Sequence, residues 1–180
     1  MGVPITDAAL ENAHGLPAVW GLVSRRRCLV PADGFYEWRM RTRQPMWIGV
    51  QDHARRATAP FVMAGVWDRW ELAAADRPVE AEEGPAVPAV VDTFAIMTTP
   101  ANAFMAGIHE RMPLILIGEA MGAWLDPGSD DAERVRSACG GVHELSMTAY
   151  AVSPLINSPR HDDPRCLEPA ARLALPGFDD

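Results

Sequence analysis

The chain has 180 residues, with sixteen arginines and no lysine set against 24 acidic residues for a formal net charge of −8, and 48% of its residues are hydrophobic. That length suits one domain burying roughly two-thirds of its unfolded surface with no metal or disulfide staple, and the acidic balance argues against a protein that coats nucleic acid indiscriminately. Cys28, Cys139 and Cys166 are too widely spaced for a CxxC redox or zinc site, and no apolar run nears the roughly 18 to 20 residues of a membrane span.

The first 24 residues are the least informative. "MGVPIT" fits the N-myristoylation pattern only loosely, nothing else points to a membrane, and the start lacks the basic and apolar regions of a signal peptide. A short helix is predicted after Pro17. From Arg27 the pattern sharpens: "CLVP", a turn at Ala32-Asp33-Gly34, then "FYEWRM" alternating apolar and polar residues as a half-buried strand does. Further strands are predicted at 45–50 and 60–70, separated by the polar loop "QDHARRATA", so that these neighbours form an antiparallel meander. Residues 71–90 are acidic and proline-rich without hydrophobic period, which predicts a flexible surface loop.

"DTFAIMTT" resumes as a buried strand, and "PANAFMAGI" follows with proline in a first-turn position and Phe104, Met105 and Ile108 at helical spacing. "GEAMGAWL" and "DDAERVRSA" predict two short helices, the second with acids at its start and arginines near its end, as the helix dipole favours. "ELSMTAYAVS" supplies a last strand before a turn-rich tail. Antiparallel strands with peripheral helices make the expected fold α+β.

Residues 25–56 hold eight of the sixteen arginines (Arg25, Arg26, Arg27, Arg39, Arg41, Arg43, Arg55, Arg56) against Asp33, Glu37 and Asp52, a local charge of +5 that leaves −13 elsewhere. That segment is either a basic face on an acidic body or a solvated loop and strand edge. Within it Glu37 stands between aromatics. On a strand, Phe35 and Glu37 share one face and Tyr36 and Trp38 the other. If the Phe35 face is interior, the carboxylate is partly dehydrated and suited to proton transfer; the commoner case for a lone strand glutamate is surface pairing with an arginine. His109 is the second candidate, placed where an apolar helix hands over to the short strand "RMPLIL". Taken alone, it too is more often structural. His14, His53, His143 and His161 lie in polar or glycine-rich surroundings and are expected on the surface, and no GxSxG nucleophile elbow is present.

"RRCLVPADGFYEW", followed by a strand-rich stretch, by "MTTPANAFMAGIHERMPLIL" and by "SPLINSPRHDDPRCLEP", resembles over residues 25–169 the SOS-response-associated peptidase (SRAP) family, whose members bind single-stranded DNA and crosslink covalently to abasic sites. The resemblance implies a mostly antiparallel, barrel-like twisted sheet with short peripheral helices in a single domain spanning 1–180. It makes Glu37 and His109 an active-site pair serving the proton transfers as an amine condenses with a ring-opened abasic sugar. Arg111 resembles a DNA-phosphate contact, Trp38 packs or stacks beside the DNA channel, and Thr98 lines the same site. The implied partner is single-stranded DNA containing abasic sites, bound by a monomer in a reducing cytoplasm at the nucleoid, with no cofactor, metal or membrane.

The family pattern breaks at position 2, where Gly2 stands in place of the cysteine whose amine and thiol together close a thiazolidine ring. The family's opening segment is unmatched too, so the chain is expected to be truncated at its N-terminus, through a misassigned start or as a decayed paralogue, with crosslinking impaired. With no lysine, an imine formed by this chain is expected only at its α-amino group. Two alternatives remain: a peptidase or other small hydrolase using Glu37 and His109, and a non-catalytic remnant that binds single-stranded DNA.

Overall fold

A computed structural model describes residues 7–9, 17–52, 54, 56–71, 90–128 and 145–170. In chain order the regular elements are β1 (Asp7–Ala9), α1 (Pro17–Arg25), β2 (Arg27–Ala32), β3 (Phe35–Trp38), β4 (Pro45–Asp52), β5 (Ala57–Ala59), β6 (Phe61–Glu71), β7 (Val90–Pro100), β8 (Arg111–Pro113), β9 (Ile115–Leu116), α2 (Ala120–Leu125) and β10 (Met147–Ala151). Single 3-10 turns at Met105–Gly107, Pro154–Asn157 and Pro164–Leu167 complete them. The chain divides into two compact units, one of Met1–Pro31, Val62–Thr99 and Pro113–Val142, the other of Ala32–Phe61, Pro100–Met112 and His143–Asp180.

The first unit is built on β6 and β7. They pair antiparallel from Gly65↔Ile96 to Glu71↔Val90, β1 adds a parallel edge to β7 from Asp7↔Ile96 to Ala9↔Thr98, β2 flanks β6, and β9 pairs its start at Val62↔Leu116. Its core is Val23, Met63, Ala64, Val66, Ala95, Met97, Leu114, Ile115, Leu116 and Trp124. Trp124 is fully buried, and its indole N–H donates to Cys28 O at 3.0 Å, so the short α2 is fastened to β2 as well as packed on the sheet. Two of the three consecutive arginines are absorbed here. Arg26 pairs with Asp68 and lies 5.1 Å over the Trp67 ring, while Arg27 donates to Val23 O at 2.7 Å and Ser24 O at 3.3 Å, satisfying carbonyls at the C-terminal end of α1, and also to Asp126 O just past α2. Cys28 sits half-buried in β2, and burial pushes its thiol pKa up.

The second unit is an antiparallel sheet in the order β10-β4-β3, with β5 also on β4. The registers Phe35↔Ile48 and Glu37↔Met46 on one side, and Ala149↔Ile48 and Ala151↔Met46 on the other, align one face; Tyr36↔Trp47 and Tyr150↔Trp47 align the opposite one. Period-2 alternation therefore sorts the residues into a buried aliphatic face, with Ile48 0% and Met46 4% exposed, and an aromatic face on which the Trp47 and Tyr150 rings stand 5.2 Å apart. The Trp47 indole lies flat over neighbouring backbone: a Cβ on Gly34 would come 2.3 Å from Trp47 Nε1, and one on Gly49 2.4 Å from the far edge of the ring. A side chain at either position requires the indole to move.

The α+β class and the mostly antiparallel pairing hold, with two short helices among the described residues and with twisted sheets left open. Three local expectations are corrected. β2 and β3 do not continue one meander: the Asp33-Gly34 turn carries the chain from one sheet to the other, and β3–β5 alone form the meander. The loop expected at 51–59 contains β5, three small residues that alternation cannot reveal. The helix expected at 100–108 shrinks to one 3-10 turn, because β7 runs on to Pro100 and Asn102 caps the chain only at Met105. The acidic stretch at 72–89 and the helix expected at 130–138 lie outside the described residues. Among the described residues no helix is long and apolar enough to cross a membrane.

Candidate active site

Glu37 lies on the inner face of β3, one residue from the strand's end. Beyond Trp38 the chain turns through 39–44 and re-enters the sheet as β4, closed by Arg39 N–H to Gln44 O at 3.0 Å and Arg43 N–H to Arg39 O at 2.8 Å. The hairpin also reaches outward, for Met40 N–H donates to Ile108 O at 3.1 Å. This bond ties the tip of the β3–β4 hairpin to the residue just before His109. Two segments about seventy positions apart in sequence are thereby held side by side within one unit.

As a result His109 Nδ1 stands 4.0 Å from Glu37 Oε2. Neither side chain is fully buried, His109 being 32% and Glu37 25% exposed. Glu37 Oε1 accepts the backbone N–H of Trp38 at 3.0 Å, which fixes the carboxylate's orientation and leaves Oε2 toward the imidazole. The ring is oriented from the other side: Arg111 N–H donates to His109 Nδ1 at 3.2 Å, and Arg111 O lies 3.3 Å from the same nitrogen. Both protonation states are thus accommodated. Neutral, the imidazole accepts from Arg111 N–H and carries its proton on Nε2; protonated, Nδ1–H turns to Arg111 O with the Glu37 carboxylate near enough to compensate its charge. At 4.0 Å the two groups make no direct hydrogen bond, and the gap leaves room for one bridging atom between them.

Of the other residues expected from sequence, Trp38 is on the same strand as Glu37 but its side chain leaves from the opposite face, where its indole N–H donates to Asn157 Oδ1 at 2.7 Å. Arg111 begins β8 two residues after His109 and is half-exposed; its backbone is what orients the imidazole. Thr98 belongs to the first unit, near the end of β7 opposite Ala9 of β1, and is buried. The structure therefore brings together Glu37, His109 and the Arg111 backbone. Arg39, Arg41 and Arg43 on the hairpin are exposed and form its basic tip. Of the remaining histidines, His161 is half-buried, and His14, His53 and His143 lie outside the described residues. What the sequence concealed is Asn102, 4% exposed, whose Oδ1 accepts Met105 N–H at 2.9 Å at the head of the turn that delivers His109.

An open groove of ≈ 560 Å³ lies elsewhere, in the first unit, lined by Cys28, Leu29, Val30, Pro31, Trp67, Arg69, Asp92, Thr93 and Phe94. Its charges are already paired, Arg69 to Asp92 through bonds of 2.7 and 2.9 Å, and none of the residues expected from sequence to form a site lines it.

The family model of the SOS response associated peptidase (SRAP) matches residues 1–159. The chain belongs to the SRAP family. The match begins ahead of the segment that carries the recognisable motifs, so the weakly patterned residues before Arg25 are part of it as well. Among relatives, the abasic site processing protein YoqW of Bacillus subtilis is 31% identical over 171 residues, covering 93% of this chain and 68% of that protein. The abasic site processing protein HMCES of Pongo abelii is 33% identical over 157 residues, covering 80% of this chain and 44% of that one. A crystal structure of a protein from Bacteroides thetaiotaomicron superposes with a TM-score of 0.69 at 26% identity, over 92% of this chain and 66% of that chain. This SRAP chain thus spans about two-thirds of the Bacillus relative and under half of the vertebrate one.

Proposed function

We propose that this SRAP chain binds abasic sites in single-stranded DNA as a monomer, at the nucleoid, and that Glu37 and His109 move the protons of imine chemistry on the opened sugar. The observation that carries the reading is the Nδ1 to Oε2 approach of 4.0 Å between two groups that the Met40–Ile108 bond and the Arg111 backbone hold in place. Relatives named as abasic site processing proteins supply the substrate class.

The steps follow from the groups present. An abasic deoxyribose in its open form presents an aldehyde. An amine attacks C1′, the N–C1′ bond forms, and the carbonyl π electrons move to oxygen; the Glu37 carboxylate takes one proton from the resulting ammonium and returns it to the alkoxide oxygen, giving a neutral carbinolamine. The protonated hydroxyl then leaves as water while the nitrogen lone pair forms the C1′=N bond, giving the protonated imine. That departure needs an acid, and with Nδ1–H turned to Arg111 O, the Nε2–H of the imidazolium supplies the proton. Because the sequence contains no lysine, the amine is an α-amino group. The exposed Arg39, Arg41 and Arg43 place guanidinium groups on the turn that follows the strand carrying Glu37, in position to meet backbone phosphates.

The test is a pair of oligonucleotides bearing one abasic site, single-stranded and duplex. The single strand is expected to bind more tightly, with affinity falling as salt rises because phosphate contacts release counterions, and borohydride is expected to trap an adduct that maps to an α-amino group. Equal affinity for both forms, or a trapped adduct at an internal residue, overturns the proposal.

A further inference from the structure

We infer that Asn102 is a positioning residue for His109, holding the imidazole at its working distance from Glu37 through the 3-10 turn between them. This rests on the reading of Glu37 and His109 given above. The turn Met105–Gly107 receives no side-chain cap from Phe104, the residue just before it. Its restraint comes from Asn102, three residues ahead of Met105, whose Oδ1 accepts Met105 N–H at 2.9 Å while its backbone O accepts Ala106 N–H at 3.0 Å. Met105 O in turn accepts both Ile108 N–H at 2.7 Å and His109 N–H at 2.9 Å. Asn102 is therefore one peptide unit removed from the backbone of His109: side chain to Met105 amide, Met105 carbonyl to His109 amide.

The surroundings show why the group is an amide. Asn102 is 4% exposed, and its Nδ2 approaches the Met147 sulfur at 3.5 Å while its backbone N–H approaches the Met112 sulfur at 3.4 Å. The position demands an acceptor toward Met105 and a neutral donor toward a soft, weakly accepting atom. An aspartate would bring a charge into this buried place, and an alanine would leave the Met105 N–H without its acceptor. Ala101 N–H donates to Glu110 O at 2.9 Å, so the segments just before Asn102 and just after His109 are clamped together and the loop between them has little freedom. Displacement of the turn would therefore move His109 directly.

The experiment compares the parent chain with Asn102→Ala, Asn102→Ser and His109→Gln. On single-stranded abasic DNA under single-turnover conditions, Asn102→Ala is expected to slow adduct formation about 10- to 100-fold, the scale of loss for a reacting group displaced by about 1 Å, with DNA affinity within about twofold of the parent. Asn102→Ser, which keeps an oxygen acceptor at the cap, is expected to recover most of the rate. ¹⁵N spectra of the imidazole are expected to show His109 protonated on Nε2 in the parent and as a mixture of tautomers in Asn102→Ala. An alanine variant with a lower melting temperature but parental rate and parental His109 shifts reduces Asn102 to a structural residue and overturns the inference. If His109→Gln keeps the parental rate, the catalytic reading fails, while the His109 spectra still decide what Asn102 does. Should the alanine variant not fold, hydrogen exchange in the parent decides: the Met105 and His109 amides are expected to open together, with protection within about threefold, and a Met105 amide exchanging far faster than that of His109 overturns the inference.

Discussion

Replacing Glu37 with glutamine isolates what its charge contributes. The amide is nearly isosteric, and its oxygen can still accept the Trp38 N–H that holds Oε1 at 3.0 Å, so the strand end and the orientation of the group are retained. What disappears is a negative charge 4.0 Å from His109 Nδ1. At that separation a unit pair is worth about 1 kcal/mol in water and about 4 kcal/mol at an effective dielectric of about 20. Expressed as a rate, for a step in which the imidazolium forms or is consumed, this range corresponds to about 5-fold up to about 1,000-fold. With both side chains less than a third exposed, the upper half of that range is expected. The assay is single-turnover adduct formation on abasic single-stranded DNA with protein in excess, alongside a separate equilibrium measurement of binding. Glu37→Gln is expected to lose rate and keep affinity, His109→Gln to do the same, and the double variant to be no more than about threefold slower than the slower single one, because two groups serving the same proton transfers are not additive. A Glu37→Gln variant at the parental rate, or one whose whole loss is accounted for by weaker binding, refutes the reasoning.

Two further predictions concern the second unit's frame. Gly34→Ala and Gly49→Ala each drive a methyl group into the Trp47 indole and are expected to destabilise by about 1–3 kcal/mol in denaturant titrations, with Trp47→Leu restoring part of the loss; full stability of either alanine variant contradicts the packing described. Asp163 accepts from the Arg165 side chain at 2.8 and 2.9 Å and from its backbone N–H at 3.0 Å, and these bonds hold its carboxyl pKa down at about 2 against the ordinary 3.8. Because the folded pKa is the lower one, the stabilisation is complete above about pH 4 and is lost as pH falls through 2. A carboxyl ¹³C titration of Asp163 is expected to show that low midpoint, and Arg165→Gln to return it toward 3.8; a parental midpoint near 4 refutes it.

How far the sequence could be read depends on the kind of signal. The alternation in "FYEW" placed Glu37 with Phe35 and against Tyr36 and Trp38, and the registers to Met46, Ile48 and Trp47 realise that sorting, since a period of two is a local property of an extended chain. The transfer between sheets at Asp33-Gly34 was invisible because a tight turn has similar residues whether it closes a hairpin or changes sheets. β5 is three small residues whose strand character comes from pairing with β4 alone. The turn after Pro100 read as helix because Phe104, Met105 and Ile108 have helical spacing, yet Met105 and Ile108 are buried by a single 3-10 turn and Phe104 is left 40% exposed. As for the site, its two end members were legible as residue types in a recognisable phrase. Their convergence was implied only by the family resemblance and could not be read from the residues themselves, since it depends on the backbone bond from Met40 to Ile108, which carries no side-chain signature.

The position of Glu37 within its strand explains why an ionisable group is tolerated beside a core. Along the inner face of β3, Phe35 is paired with fully buried Ile48 and packs edge-on to Phe61 with ring centroids 6.3 Å apart, whereas Glu37 is paired with Met46, one residue before the sheet gives way to the hairpin. Moved two residues toward the strand's start, the carboxylate would enter that aromatic contact, where an unpaired charge is costly. Moved past Trp38, it would stand with exposed Arg39 and Met40 on the turn, more open to solvent. Position 37 is the place on this strand that is dry enough to give a charge some force and still open in part to solvent. The aromatics on either side of it in sequence belong to the other face, with Tyr36 opposite Trp47 and Trp38 anchored to Asn157, so that the carboxylate has the inner face at the strand's end to itself and to the arriving imidazole.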